Sequence, residues 1–188
     1  MTPCGRRAIK NFVLEELDLL VDCGAQSLAS RELRRHVRPD GGHVEPSIYY
    51  HGIALEDVLD LLNFGAVRGS AAPDGDAAWP ALLRPVAERM LGYLQFVRPP
   101  GGGYPLHGDA AVDAEPSPQA LVDYAVRLGI DVPAQGDGLR HLADSGMLVW
   151  RSAGEYLLAD VTGVGAPHVP GHGHCDSLSF EWYVGDLP

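Results

Sequence analysis

Cysteine and basic residues are the scarce commodities of this sequence. Its 188 residues hold three cysteines, Cys4, Cys23 and Cys175, with no C-x-x-C spacing. An odd count so spaced argues against a disulfide framework or a structural zinc ribbon. Lysine and arginine number 14 against 25 aspartates and glutamates, a formal charge of −11. Nucleic-acid binders draw much of their affinity from a basic face, so no nucleic-acid partner is expected. No run approaches the roughly 18–20 apolar residues that a membrane-spanning helix requires, so no membrane span is expected. The basic start around Arg6, Arg7 and Lys10 is followed by no apolar signal core, so no signal peptide is read and localisation stays unknown. What is plentiful is apolar residues, 46%, which excludes wholesale disorder, and turn formers, with Gly 23 and Pro 15.

The chain changes character along its length. Up to about residue 130 the apolar period is helical. Ile9, Phe12, Val13, Leu17, Leu20 and Val21 recur at three- and four-residue spacing, and Leu28, Leu33 and Val37 follow. Pro39-Asp-Gly-Gly42 reads as a turn. Ser47 is a suitable N-cap for a second helix, whose stripe is His51, Leu55, Val58, Leu59 and Leu62. A third helix is expected over Trp79 to Val97, kinked at Pro85 or starting near it. Ser117-Pro118 opens a fourth that runs to about Leu128.

After Gly136 the period becomes two. Met147 to Arg151, Tyr156 to Val161 and Leu178 to Val184 predict three strands. Helices first and strands later imply an α+β fold, with a helical domain over 1–135 and a β domain over 136–188. Three strands have two open edges and little to pack on, and the chain stops straight after its most apolar strand. The expectation is a truncated β domain.

Two segments carry candidate chemistry. In His168-Val-Pro-Gly-His172-Gly-His174-Cys175-Asp176, an extended backbone would put His172, His174 and Asp176 on one face with Leu178, Phe180, Trp182 and Val184, a face passing from an apolar core into two imidazoles and a carboxylate. Such an H-x-H pair can chelate a divalent metal, with the carboxylate as ligand or outer partner; the bland alternative is a polar loop whose histidines only hydrogen-bond. In Glu45-Pro-Ser-Ile-Tyr49-Tyr50-His51, a tyrosine at a helix start could have its phenolate favoured by the helix dipole and move a proton, or it could simply pack. His51 on the apolar stripe reads as a satisfied core histidine.

Taken in order, the motifs resemble one family. Pro39-Asp-Gly-Gly-His43, Ser47-Ile-Tyr-Tyr-His51, Leu55-Glu-Asp-Val-Leu-Asp60, Pro105-Leu-His-Gly-Asp109, Pro116-Ser-Pro118 and Leu142-Ala-Asp-Ser-Gly146 precede Pro170-Gly-His-Gly-His-Cys-Asp176 with Leu178-Ser-Phe-Glu181. The series is similar to that of the heparinase II/III-like polysaccharide lyases, and it runs from about residue 31 to 184. The resemblance implies an incomplete α/α-toroid followed by the first strands of an antiparallel β-sandwich, with a cleft between them. It implies β-elimination of a uronate-containing acidic polysaccharide. Carried over by position, Tyr50 is the acid/base tyrosine, His172 the catalytic histidine and His174 a ligand of a structural zinc. Asp176 would orient the loop, and Asn11 is the candidate that neutralises the substrate carboxylate. Arg31, Arg34, Arg35 and Arg38 cluster before the tyrosine segment; Arg35 and Arg38 are candidate contacts to substrate anions, against the plainer reading of a solvated helix face. The family's remaining zinc ligands lie downstream of its H-x-H segment, so the zinc site is expected to be incomplete here and the isolated chain to have low or no activity. Two other readings stay open: a non-catalytic carbohydrate-binding remnant, and a metallohydrolase using His172, His174 and Asp176.

Overall fold

The computed structural model describes residues 25–69, 78–111, 113–163 and 174–185. Among them the elements run α1 (Ala25–His36), α2 (Ile48–Gly69), α3 (Ala78–Val97), α4 (Pro118–Arg127), β1 (Gly138–Leu142), β2 (Met147–Ser152), β3 (Glu155–Asp160) and β4 (Phe180–Val184). The fold is α+β. The chain divides after Arg35, and α2 to β4 all belong to the unit that starts at His36.

The helices start where local chemistry predicts. The Ser47 carbonyl accepts from His51 N–H at 3.1 Å and its hydroxyl from Tyr50 N–H at 3.5 Å, which caps α2. Ser117 caps α4 by accepting from Ala120 N–H, with Pro118 in the first turn where its missing donor is harmless. The α2 stripe of His51, Leu55, Val58, Leu59 and Leu62 is buried, against Leu83, Met90, Leu91 and Leu94 of α3 and Leu121 and Ala125 of α4 in the same core. The α3 helix runs from Ala78 through Pro85 rather than starting at it.

Among the described residues four strands form where three are expected, in the antiparallel order β1-β2-β3-β4. The missed one is β1, whose Gly-Leu-Arg-His-Leu has no clear apolar alternation and is almost wholly exposed. Pairing to β2 over Gly138↔Arg151 to Leu142↔Met147 makes it a strand, not its own side chains. One sheet face, with Met147, Val149, Tyr156 and Leu158, is buried. Two polar anchors join that face to the end of α3. Tyr156 donates its hydroxyl proton to the Val97 carbonyl, and Arg151 donates to the carbonyls of Phe96 and Arg98, at 3.2 and 2.6 Å.

The opposite face reverses an expectation. Phe180, Trp182 and Val184 were expected to share a core face with the histidine segment, yet they are exposed, while Glu181 and Tyr183 are half-buried. Strand β4 begins only at Phe180, because Leu178 has φ +67 within a turn closed by Ser179 N–H on the Asp176 carbonyl. A residue in left-handed conformation breaks the two-residue alternation, so faces on either side of it do not continue.

The Pro39-Asp-Gly-Gly turn locks the helices to the β2 hairpin. Asp40 accepts from Ser145 N–H at 2.7 Å and from the Ser145 hydroxyl at 2.6 Å. Gly41 has φ +92, and a Cβ there would sit 2.2 Å from the Arg89 carbonyl oxygen. Gly41→Ala combines a left-handed backbone with a clash against helix backbone that cannot swing away. We expect it to destabilise the fold by about 3 kcal/mol or more. Thermal denaturation checks this: a midpoint within a degree or two of the parent would contradict the packing described.

Candidate functional site

Three segments distant in sequence meet where the helices join the sheet: the start of α2, the glycine-rich loop before α4, and the loop leading into β4. Tyr50 stands in the first turn of α2. Its phenol interacts with the Asp109 carboxylate. From the other side of the site, His174 Nε2 lies 2.8 Å from Asp109 Oδ1. A carboxylate only accepts, so His174 donates to it, and Asp109 lies between the tyrosine and the histidine. The same two loops are stitched once more by Gly108 N–H, which donates to Asp176 Oδ2 at 3.2 Å. Tyr49 donates to the Glu115 carbonyl at 3.2 Å and Tyr104 to the Pro116 carbonyl at 2.6 Å, which fixes the loop against α2.

The electrostatics define what these groups can do. Burial first, and then the Asp109 charge, raise the Tyr50 pKa above the ordinary phenol value. The dipole at the helix start does not prevail, and the phenol stays protonated, which makes it a proton donor. His174 spends Nε2–H on Asp109, so its lone pair sits on Nδ1 and is the nitrogen left for a proton or a cation. His174 is exposed, and so is the thiol of Cys175.

The other sequence-derived candidates fall in different places. Asn11 and His172 lie outside the described residues. Arg35, on α1, is exposed and ion-paired to Glu32 at 3.4 Å. Arg38 donates to the carbonyls of Asp144 and Val44, and it borders an open cleft of about 350 Å³ with Pro46, Asp144 and Thr162. His51 is a core residue: its Nε2 meets the Met90 carbonyl at 3.0 Å and its ring lies tilted against Tyr93, centroids 4.7 Å apart. His174 and Asp176, paired in the metallohydrolase reading, turn to separate partners, Asp109 and Gly108.

A zinc on His174 needs more donors than this arrangement supplies. His174 Nδ1 makes one, because the Asp109 carboxylate lies on the other ring nitrogen, and the three-residue group able to hold a metal among the described residues does not include His174. Sequence reasoning missed Asp109 as a site residue. The signal was there, an aspartate two residues from a histidine in a Gly/Pro loop, but nothing local says that it faces Tyr50.

Residues 134–188 match the family described as heparinase II/III-like, C-terminal. No curated protein matches the chain. Among solved structures, a mutant of the heparan sulfate lyase HepC from Pedobacter heparinus is similar at 20% identity and a TM-score of 0.61, over 86% of this chain and 27% of that one. The HepC structure itself gives 19% identity and a TM-score of 0.59, over 85% of this chain and 26% of that one. The chain thus spans about a quarter of the length of the lyase that it matches. Residues 134–188 thus resemble the heparinase II/III-like C-terminal family, and most of the chain shares its fold with part of a heparan sulfate lyase.

Proposed function

We propose that this chain is part of a polysaccharide lyase that cleaves uronate-containing acidic polysaccharide by β-elimination. The observation that carries the reading is the convergence of Tyr50 and His174 on Asp109, in a fold shared with part of a heparan sulfate lyase. In such a reaction a base takes the C5 proton of the uronate, the C4–O bond breaks, and an acid protonates the departing glycosidic oxygen. Tyr50, held protonated, is the acid for that last step. His172 is the catalytic histidine of the proposal and Asn11 the group that neutralises the substrate carboxylate, where negative charge develops. Arg35 and Arg38 are the proposed contacts to substrate anions. A structural zinc on His174 belongs to the same proposal, with its further ligands supplied from outside the described residues.

The fold reading extends in the same way. The helices are proposed as part of an α/α-toroid over 1–135, and the sheet as the first strands of a β-sandwich from 136 on. An apolar face exposing Leu139, Phe180, Trp182 and Val184 is what a second sheet would cover.

The test is product chemistry. The protein as its gene encodes it, incubated with heparan sulfate or alginate, should release chains ending in a C4–C5 unsaturated uronate, followed by its ultraviolet absorbance. Release of saturated ends alone would sink the lyase class.

A further inference from the structure

Behind Asp109, the next histidine of the same loop makes a second cluster. His107 is 6% exposed and faces a carboxylate with each ring nitrogen. Nε2 lies 3.3 Å from Asp160 Oδ2, and Nδ1 lies 3.6 Å from Asp176 Oδ2. One donor atom from each of the three residues can be chosen so that all lie within 4.8 Å of one another. Asp160, the last residue of β3, is 2% exposed, and its Oδ1 is held by Thr162 N–H at 2.7 Å. Asp176 is held by Gly108 N–H and reaches the cluster through the turn that Leu178 N–H closes on the Asp160 carbonyl at 2.9 Å. Glu181, on the adjacent strand, also acts electrostatically on His107, and its Oε1 is buried without a hydrogen-bond partner.

The decisive detail is His107 Nε2. It is buried and makes no hydrogen bond, despite the carboxylate oxygen 3.3 Å away. A proton there would point off the line to Asp160, whereas a cation between nitrogen and oxygen needs no such line. Two buried or half-buried carboxylates around one imidazole also leave uncompensated negative charge, which is costly at this depth unless a cation is present. We infer that His107, Asp160 and Asp176 form a binding site for a first-row divalent cation, separate from the zinc proposed on His174. An imidazole nitrogen with carboxylate oxygens suits Zn²⁺ or Mn²⁺ better than Ca²⁺ or Mg²⁺, which favour oxygen alone. The Thr162 and Gly108 N–H groups play the outer part, orienting the two carboxylates. Such an ion ties the end of β3, the loop before α4 and the turn into β4 into one unit directly behind Asp109 and His174. The inference needs no catalysis and stands independently of the lyase reading.

Metal binding tests it directly. The protein is stripped with a chelator and dialysed against Zn²⁺ or Mn²⁺, with bound metal measured per chain and thermal midpoint followed. The wild type should retain an ion and melt higher with it. Asp176→Asn keeps an oxygen for Gly108 N–H and should fold, with affinity lowered by at least about 10-fold, the scale on which even outer partners act. His107→Gln should do the same, and circular dichroism confirms that each variant folds. His174→Ala should keep the ion. A wild type that retains no ion overturns the site. So does an ion lost in His174→Ala and kept in Asp176→Asn, which moves the metal to the histidine of the lyase proposal.

Discussion

Tyr50→Phe should lower the release of unsaturated uronate by about 10²–10⁴-fold, the usual contribution of a positioned proton donor. The substitution is narrow. It keeps the ring that packs at 5.8 Å from Tyr49 and leaves the Ser47 cap of α2 intact, since that bond uses the backbone N–H. Only the hydroxyl is lost, and with it the proton that the proposed elimination delivers to the leaving oxygen. A group that acts in the transition state should move kcat and leave KM nearly unchanged. The pH profile adds a signature that packing alone would not move. The Asp109 charge helps to hold the Tyr50 pKa above the phenol value. Asp109→Asn removes that charge, so the alkaline limb of the rate profile should shift to lower pH. A Tyr50→Phe protein that turns over substrate at the parent rate would remove Tyr50 from the reaction.

Mild acid should destabilise the fold well before its surface carboxylates titrate. Burial lowers the pKa of His51 from 6.5 to about 3 and that of His43 from 6.5 to about 4. Both are neutral in the native state. His51 Nε2 sits on the Met90 carbonyl, and His43 Nδ1 accepts from Glu45 N–H at 3.3 Å. The unfolded chain therefore binds protons first as pH falls. The stability associated with these neutral histidines is complete above pH 6.5 and is lost downward, towards pH 4 for His43 and pH 3 for His51. With a limiting slope of about 1.4 kcal/mol per pH unit for each group, reached only below pH 6.5, the pair lowers stability by about 3 kcal/mol between pH 6.5 and 5. Glu181 works the other way, because burial raises its carboxyl pKa and so favours the fold at low pH, though this acts only near the carboxylate range. Thermal midpoints measured from pH 7 to 4 report the slope. His51→Gln should flatten it by roughly half. A midpoint constant across that range would mean that neither histidine is buried neutral.

Much of the architecture was legible in the order of residues because it depends on neighbours. The α2 stripe repeats every three or four positions, and Ser47 and Ser117-Pro118 stand where caps belong, so these elements follow from contacts a few residues apart. Strand β1 was illegible for the opposite reason: its side chains are mostly exposed, and its hydrogen bonds go to β2.

The site divides along the same line. Local sequence determined the helical and strand halves, the tyrosine at a helix start and the two polar loops that carry His107, Asp109, His174 and Asp176. Tertiary structure alone decided that Asp109 joins His174 across 65 residues and that β4 turns Phe180 and Trp182 outward. A single left-handed residue, Leu178, resets which face follows it. Periodicity registers which residues share a face within one element, but not which way that face turns after a kink. A hydrogen bond between distant loops leaves no period at all, because it depends on where the core brings them.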